Sequence, residues 1–173
     1  MTAVRRLDAA GSRDCRRRLA ELLIDSVEAG ASVGFMPPLT EEAAVEYWEE
    51  VSDSIDAGHT ILLVAGDPIA GTVQLQLPAY PNGRHRGMVA KLLVHTSARR
   101  RGIGTELMSA LEEEAARDGR TLLFLDTQTG SDAEPFYDRL GWERAGIIPD
   151  FAYAPDGKVW PSTFFFKRLN HAG

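Results

Sequence analysis

The fold is best indicated by the stretch Lys91-Leu-Leu-Val-His-Thr-Ser-Ala-Arg-Arg-Arg-Gly-Ile-Gly-Thr-Glu-Leu-Met108, in which an apolar strand runs into a basic glycine turn that opens an amphipathic helix. The first N–H groups of a helix have no partner within it, and the helix dipole makes that end positive. Gly102 and Gly104 carry no Cβ, so a phosphate can approach the backbone closely. The arginines at positions 99–101 add positive charge. The stretch therefore predicts a binding site for a phosphate or pyrophosphate group.

Two common phosphate-binding motifs do not match this turn. A Walker loop requires Gly-Lys followed by Ser or Thr, and the dinucleotide fingerprint requires a third glycine where Leu107 stands. The remaining pattern is Arg-x-x-Gly-x-Gly, formed by Arg99, Gly102 and Gly104 after a strand that ends near Val94. In this strand–turn–helix context it resembles the pyrophosphate-binding motif of the GNAT acetyltransferases, whose cofactor is acetyl-CoA. An ordinary basic turn at the start of a helix is the alternative.

A second block, residues 125–142, resembles another motif of the same family. Residues 136–137 are Phe-Tyr and residues 141–142 are Gly-Trp, at the places where family members carry an aromatic pair and Gly-Phe. The resemblance implies that Tyr137 is the general acid. A tyrosine hydroxyl has an ordinary pKa near 10 and can protonate a departing thiolate. A half-buried core aromatic is the alternative for Tyr137.

Two neighbouring positions are less clear from the residues alone. Many family members carry an asparagine that binds pantetheine at the place of Gly130, and Ser131 beside it is the candidate replacement. Asp126 stands at the carboxyl end of an apolar strand, where ligands of such sheets bind. This carboxylate either orients or deprotonates a substrate ammonium, or it caps a turn. From the residues alone these two roles are equally supported.

Short blocks from residue 30 onward also resemble the tabtoxin-resistance acetyltransferases, which inactivate a β-lactam amino-acid toxin. The blocks are residues 30–36, 81–83, 97–99, 125–127, 130–131, 133–134, 136–137 and 155–157. By this resemblance Asp126 and Tyr137 are catalytic, and residues 32–36 form the loop that binds the acceptor. A plain connection between two helices is the alternative for that loop.

The resemblance assigns two sets of binding residues. The cofactor set is Leu92, Leu93, Val94, Arg99, Arg100, Arg101, Gly102, Ile103, Gly104, Thr105, Ser131, Glu134 and Tyr137. The substrate set is Ser32, Val33, Gly34, Phe35, Met36 and Asp126. The predicted function is transfer of an acetyl group from acetyl-CoA to an amine of a small amino-acid-like molecule, with a toxin or antibiotic as one class of acceptor. Acetylation of a peptide or protein amine, and a CoA-binding sensor without transfer, are the alternatives.

The flanking sequence predicts the rest of the fold from its apolar periodicity. The predicted strands are residues 2–7, 59–65, 69–77, 88–95, 121–125, 144–153 and 163–168, and the predicted helices are residues 14–28, 42–55, 104–118 and 133–140. Thr40 is the expected N-cap of the second helix. The continuous apolar run at 121–125 predicts a strand that is covered on both faces. The pattern predicts the fold class α/β (α+β), with one mixed sheet flanked by helices. The resemblance implies that this is the GNAT acyltransferase fold, whose sheet is mostly antiparallel.

Composition excludes several other classes of function. The chain has 173 residues, a net charge of −6 and one cysteine, which fits a single domain over residues 1–173 that binds neither nucleic acid nor an anionic membrane. A signal peptide and a spanning apolar run are absent from the sequence, so we expect a cytoplasmic protein. His59, His85, His95 and His171 lack metal-ligand spacing, so no metal is expected. A homodimer through the closing strands is an expectation that the family resemblance alone carries.

Overall fold

The computed structural model describes residues 3–154 and 156–169. Within these residues, seven strands form one sheet in the order β1-β2-β3-β4-β5-β7-β6. The elements are β1 Val4–Leu7, α1 Ala9–Glu28, α2 Glu41–Asp56, β2 Thr60–Ala65, β3 Gly71–Gln76, β4 Arg86–Val94, α3 Ile103–Arg117, β5 Leu122–Gln128, α4 Ala133–Arg139, β6 Glu143–Tyr153 and β7 Val159–Arg168. This order confirms the predicted mixed sheet with flanking helices. The predicted strand residue Thr2, the turn residue Pro155 and His171 lie outside the described residues.

The sheet opens in its middle, between β4 and β5. These two strands run parallel and pair only from Arg86↔Leu122 to Met88↔Phe124, whereas the other neighbouring strands in the described sheet are antiparallel. Past that point β4 continues to pair with β3, and β5 continues to pair with β7. Residues 89–94 and 125–128 therefore border a gap in the sheet, which we call the central gap.

A β-bulge deforms β4 beside the central gap. Thr72 pairs with Leu93 but Gln74 pairs with Ala90, so β4 contains one more residue than β3 between these pairs. Lys91 within the bulge has a φ of 50°, a left-handed conformation that non-glycine residues rarely adopt. A bulge bends its strand and redirects its side chains. The side chain of Lys91 consequently departs from the regular alternation of the strand.

Two hydrophobic cores lie on opposite faces of the sheet. The first core packs α3 and α4 against the sheet and includes Leu63, Val73, Val89, Leu107, Leu111, Leu123, Leu125, Tyr137 and Phe165. The second core packs α1 and α2 against the sheet and includes Leu19, Leu22, Leu23, Trp48, Leu62, Val64 and Leu93. The central gap lies between them, so it is accessible to groups from both faces.

Two sequence-based predictions are corrected by the structure. Helix α1 begins at Ala9 rather than at residue 14, because the Asp8 side chain accepts a hydrogen bond from the Gly11 N–H at 2.8 Å and caps the helix there. Strand β5 is not covered on both faces: Leu123 and Leu125 are buried, but Phe124 is only partly so. The reason is that α1 and α2 lie over β1, β2 and β4 and leave that face of β5 without a helix. The predicted cap Thr40 is confirmed, since it accepts from Ala43 N–H.

Candidate active site

The central gap holds a cleft of about 440 Å³. Its walls come from the loop after α1, from β4 and β5, from the start of α4 and from the closing strands. The lining residues are 30–34, 88–92 and 125–128, together with Ser131, Ala133, Tyr137, Phe151, Ala152 and Ser162. Residues that are distant in sequence therefore meet where the sheet opens.

The N-terminus of α3 differs from those of α1 and α2. Asp8 and Thr40 cap α1 and α2 with their side chains, but α3 has the left-handed Gly102 (φ 85°) at its N-cap and no side-chain cap. Within the described part of the chain, no group accepts a hydrogen bond from the N–H groups of residues 103–105. Three donors and the positive end of the helix dipole are therefore free for an anion. These features fit the pyrophosphate of a CoA.

The two glycines of this turn differ in backbone conformation and in what surrounds them. At Gly102 an added Cβ would meet no atom within 4 Å, so the residue is required by its positive φ. At Gly104 an added Cβ would lie 3.4 Å from Cζ of Phe136. That distance is an ordinary van der Waals contact, so the packing of α3 against α4 does not by itself require a glycine at position 104.

The other residues predicted to bind the cofactor on β4 and its turn take several positions. Leu92 lines the cleft, while the side chain of Leu93 is buried in the second core and leaves only its backbone for a ligand. Val94 pairs with Gly71, and its carbonyl accepts a hydrogen bond from Arg99 Nε at 3.1 Å. The side chains of residues 99–101 and Thr105 are exposed, and Ile103 is buried in the first core.

Ser131 and Glu134 are placed differently from each other. Ser131 lines the cleft, with its hydroxyl 3.5 Å from that of Thr127. The Glu134 carboxylate instead accepts hydrogen bonds from Gly130 N–H (2.8 Å) and from Arg144 (3.2 Å). A hydrogen bond from Thr163, followed by that from Gly130 N–H and the charge of Arg144, holds the pKa of Glu134 below its ordinary value. Glu134 thus fixes the turn before α4, and its contact with the cofactor stays a prediction.

Tyr137 reaches the cleft from the α4 side. Its ring packs against Phe136, Phe165 and Trp142, with centroids 5.2, 5.6 and 6.0 Å away. Its hydroxyl makes no hydrogen bond to a described residue and is not closed off from solvent. Burial, and then the negative charge of Asp126, raises the pKa of Tyr137 to about 12. The hydroxyl therefore stays protonated at neutral pH and can donate its proton.

Asp126 lies on the other face of β5 from the first core. Leu125 is buried in that core, and successive residues of a strand point to opposite faces. Asp126 is half-buried and lines the cleft. Its charge adds to the rise that burial causes in the pKa of Tyr137, and it opposes the fall that burial causes in the pKa of Lys91. The structure thus brings together the two residues that the sequence analysis named as catalytic.

The loop predicted to bind the acceptor lines the cleft with part of its length. Ser32, Val33 and Gly34 form one wall. Phe35 turns away and packs edge-on against Tyr47, with ring centroids 5.0 Å apart. Met36 is 43% exposed and lies outside the wall. The structure therefore brings the first three of these five residues to the cleft.

Lys91 is a cleft residue that sequence reasoning missed. Its Nζ lies 5.5 Å from the ring centroid of Tyr47 and 5.7 Å from that of Phe35. Burial lowers the pKa of Lys91, and the charge of Asp126 opposes this effect. The available signal was a lysine inside an otherwise apolar strand, a placement that favours a functional role over a structural one. Phe151 and Ser162 of the closing strands were also missed.

Comparison with known proteins places this arrangement in a family. The sequence profile described as the Acetyltransferase (GNAT) family matches residues 12–142. The chain belongs to the GNAT acetyltransferase family. It is also 31% identical over 164 residues to an uncharacterized N-acetyltransferase of Azospirillum brasilense from the hisH–hisA intergenic region, covering 91% of this chain and 95% of that protein.

Solved structures agree with the GNAT fold of this chain. One is the ribosomal-protein-alanine N-acetyltransferase of Brucella melitensis, with a TM-score of 0.80, 20% identity and coverage of 96% of this chain and 99% of that one. Another is the yncA acetyltransferase of Salmonella typhimurium with its cofactor acetyl-CoA, with a TM-score of 0.78, 17% identity and coverage of 100% and 96%. At these identities the likeness concerns the fold.

These findings confirm the coarser predictions made from the sequence. The chain is a GNAT enzyme that uses acetyl-CoA for N-acetyl transfer. Because the relative from A. brasilense is uncharacterized, the likeness to the tabtoxin-resistance enzymes stays a prediction. In the described part of the GNAT chain, the helices are too short or too polar to cross a membrane, and no group of three potential metal ligands occurs.

Proposed function

We propose that this GNAT enzyme acetylates the amine of a small, amino-acid-like molecule in the cleft of the central gap. The observation that carries the proposal is the meeting of Tyr137 and Asp126 from opposite faces of the sheet in one cleft. Tyr137, which keeps its proton, thus lies across the cleft from the Asp126 carboxylate, which attracts an ammonium. This arrangement suits an amine entering from one face and a thioester entering from the other.

The cofactor would be held mainly by the backbone. The N–H groups of residues 103–105 would bind the pyrophosphate, with the arginines at 99–101 adding charge. The unpaired edge of β4 from residue 89 to 94 would carry the extended pantetheine arm, and Ser131 would replace the asparagine that the family uses. Acetyl-CoA supplies the thioester whose acetyl group is transferred.

The proton transfers follow from the two side chains. The amine nitrogen forms a bond to the acetyl carbonyl carbon while the bond from that carbon to sulfur breaks. Asp126 would orient the acceptor's ammonium and pass one of its protons to solvent, directly or through water, so that the neutral amine attacks. The second proton that the nitrogen loses on becoming an amide would also leave to solvent, and Tyr137 would give its own proton to the leaving thiolate. The products are an N-acetyl amide and the free thiol of CoA, and Tyr137 regains its proton from solvent.

The size of the cleft favours a small acceptor over a protein tail. A volume of about 440 Å³ lies at the lower end of ordinary ligand pockets and must also hold the acetyl end of the cofactor. The resemblance to the tabtoxin-resistance enzymes supports a toxin or antibiotic as one such acceptor. The free hydroxyl of Tyr137 argues against a sensor without transfer, because a sensor needs no acid at the thioester.

The edge of the sheet supports a homodimer as part of the proposal. Strand β6 is exposed along almost its whole length and shows apolar side chains to solvent, with Ile147 56%, Ile148 45% and Tyr153 66% exposed. An uncovered apolar edge strand is a site of association. We propose a cytoplasmic dimer through this edge, which light scattering after gel filtration would detect as a doubled mass.

Calorimetry and thiol release together test the enzymatic proposal. Acetyl-CoA is titrated into the protein, and free thiol is then measured against amino acids, polyamines, aminoglycosides and short peptides. We expect acetyl-CoA binding and thiol release on an amino acid or a related small amine. Thiol release on peptides alone would show that the acceptor is a peptide or protein amine rather than a small molecule. Binding without release on any amine would favour the sensor, and no binding would overturn the cofactor assignment.

A further inference from the structure

The cleft contains one cation and one anion among its lining residues. Of the side chains that form its walls, only Lys91 and Asp126 carry a charge, and all others are apolar or neutral polar. Lys91 comes from the bulge of β4, and Asp126 comes from β5 on the other side of the central gap. The described cleft is therefore neutral overall but has charges of opposite sign on opposite walls.

The Lys91 ammonium has no protein acceptor. Within the described residues, it donates no hydrogen bond and forms no ion pair. Asp126 lies beyond ion-pair distance, although its charge partly opposes the lowering of the Lys91 pKa by burial. Its contacts are the rings of Phe35 and Tyr47, at 5.7 and 5.5 Å from their centroids. A partly buried ammonium without an acceptor is costly, and cation–π contacts offset only part of that cost.

The bulge holds this lysine in place. Lys91 adopts a left-handed φ of 50°, which costs a non-glycine residue conformational energy. Its side chain is then confined by two rings that pack against each other at 5.0 Å. A strained backbone and a confined cation, both at the wall of the cleft, indicate a group that is positioned for a ligand rather than one that fills space.

We propose that Lys91 binds the carboxylate of the acceptor while Asp126 binds its ammonium, so that the substrate is a free amino acid or a close zwitterionic analogue. This inference rests on the proposed transfer reaction and names the substrate class of the same site. A carboxylate supplies the acceptor that the ammonium lacks, and such charge-assisted hydrogen bonds are about twice as strong as neutral ones.

The same pair of charges disfavours other classes of acceptor. A polyamine or an aminoglycoside would bring additional positive charge against Lys91. A phosphorylated amine would bring a second negative charge against Asp126. A residue within a peptide chain has no free carboxylate next to its amine. The arrangement therefore selects by repulsion as well as by attraction.

Matched pairs of ligands test the proposal. The protein amino acids and their carboxamides are titrated into the CoA complex by calorimetry, at a pH at which the amines of both are protonated, because each pair then keeps its side chain and ammonium and differs in the charge of the carboxyl end. We expect the wild type to bind at least one amino acid about 10- to 100-fold more tightly than its carboxamide. Thiol release from acetyl-CoA is then measured on the same pairs.

Three variants isolate the role of the lysine. Lys91→Met keeps the length and removes the charge, and it should bring the acid-to-amide ratio close to 1 without changing CoA affinity. Lys91→Arg keeps the charge and should retain part of the preference. Lys158→Met is the control, because this lysine is 75% exposed on the turn before β7 and should leave the ratio unchanged.

Several outcomes would overturn the inference. They are a wild type that binds no free amino acid, a wild type that binds acids and amides equally, and a Lys91→Met variant that keeps the preference or weakens acids and amides alike. Failure of the proposed transfer is distinguishable from these. Lys91-dependent binding without thiol release would contradict the proposed transfer reaction but support the carboxylate site. Thiol release only on amines that lack a carboxylate would support the transfer reaction but contradict the carboxylate site.

Discussion

The two ends of the cleft are built in contrasting ways. The proposed cofactor end consists of backbone N–H groups at the start of α3 and the unpaired edge of β4, and its residues lie within one continuous stretch of sequence. The proposed acceptor end consists of the side chains of Lys91, Asp126 and Tyr137, which line the cleft from β4, β5 and α4. A site made of backbone tolerates changes in side chains, whereas a site made of side chains changes its ligand with one substitution. The cofactor is accordingly common to the family, and the acceptor is particular to the member.

The largest expected effect is at the cofactor end, from Gly104→Trp. The new Cβ would lie 3.4 Å from Cζ of Phe136, and the indole beyond it would occupy the space before the free N–H groups of α3. We expect loss of measurable acetyl-CoA binding by calorimetry, with circular dichroism used to verify that the variant is folded. A folded variant that binds acetyl-CoA as the wild type does would show that the start of α3 is not the cofactor end.

The next effect is at the acceptor end, from Tyr137→Phe. We expect kcat to fall about 100-fold because the proton donor is lost, with acetyl-CoA affinity unchanged. Tyr47→Phe is the matched control, since the pKa of Tyr47 is likewise raised to about 12, chiefly by burial, but its hydroxyl pairs with Gln74 outside the cleft. Equal kcat values for Tyr137→Phe and the wild type would contradict the general-acid assignment.

A smaller effect on acetyl-CoA binding should distinguish a substitution at the N-terminal end of α3 from one at its C-terminal end. Gly102 and Gly119 flank this helix with φ of 85° and 79°, and neither has an atom within 4 Å of an added Cβ. Substitution by alanine should therefore cost both variants a similar stability, about 1 kcal/mol. Only Gly102→Ala should weaken acetyl-CoA binding, by about tenfold, because it disturbs the donors of the first turn. If Gly119→Ala weakens binding equally, the effect is one of general stability.

The smallest effect is expected in the pH dependence. The folded pKa of Tyr137 is raised to about 12 from an ordinary value of 10, so the protonated form is favoured in the folded state. Its contribution to stability is complete below pH 10 and is lost as the pH rises through about 12. The kcat profile should likewise show no descending limb from Tyr137 below about pH 10. A descending limb at neutral pH that Tyr137→Phe removes would contradict the assigned pKa.

The fold and the glycine turn before α3 were largely predictable from sequence because their signals are local. The strand, glycine turn and helix around Gly102 are consecutive in the chain, and the order of elements follows from apolar periodicity. The start of α1 shows the limit of that signal. The prediction omitted the residues from Ala9 to residue 13, because Asp8 was not recognised as the N-cap. The exposed face of β5 also required knowledge of where α1 and α2 pack.

The acceptor end was less predictable because it depends on pairing between strands. Asp126 and Tyr137 were named from a resemblance, but Lys91 was read as an ordinary strand residue. Its role depends on the bulge, which arises only when β3 pairs with β4 in the observed register. Ser162 and Phe151 reach the cleft through the β6–β7 pairing, which likewise leaves no local trace in the sequence.

The central gap also bears on how this protein avoids aggregation. A strand edge with unpaired N–H and C=O groups ordinarily recruits strands from other molecules. Here the unpaired edges of β4 and β5 face one another in the middle of a seven-stranded sheet, with β3 and β7 paired on their outer sides. An extended ligand arm can lie along such an internal edge, but a foreign sheet has no free flank by which to join it. The central gap thus confines an unpaired strand edge, the proposed place of the pantetheine arm, to the interior of the sheet.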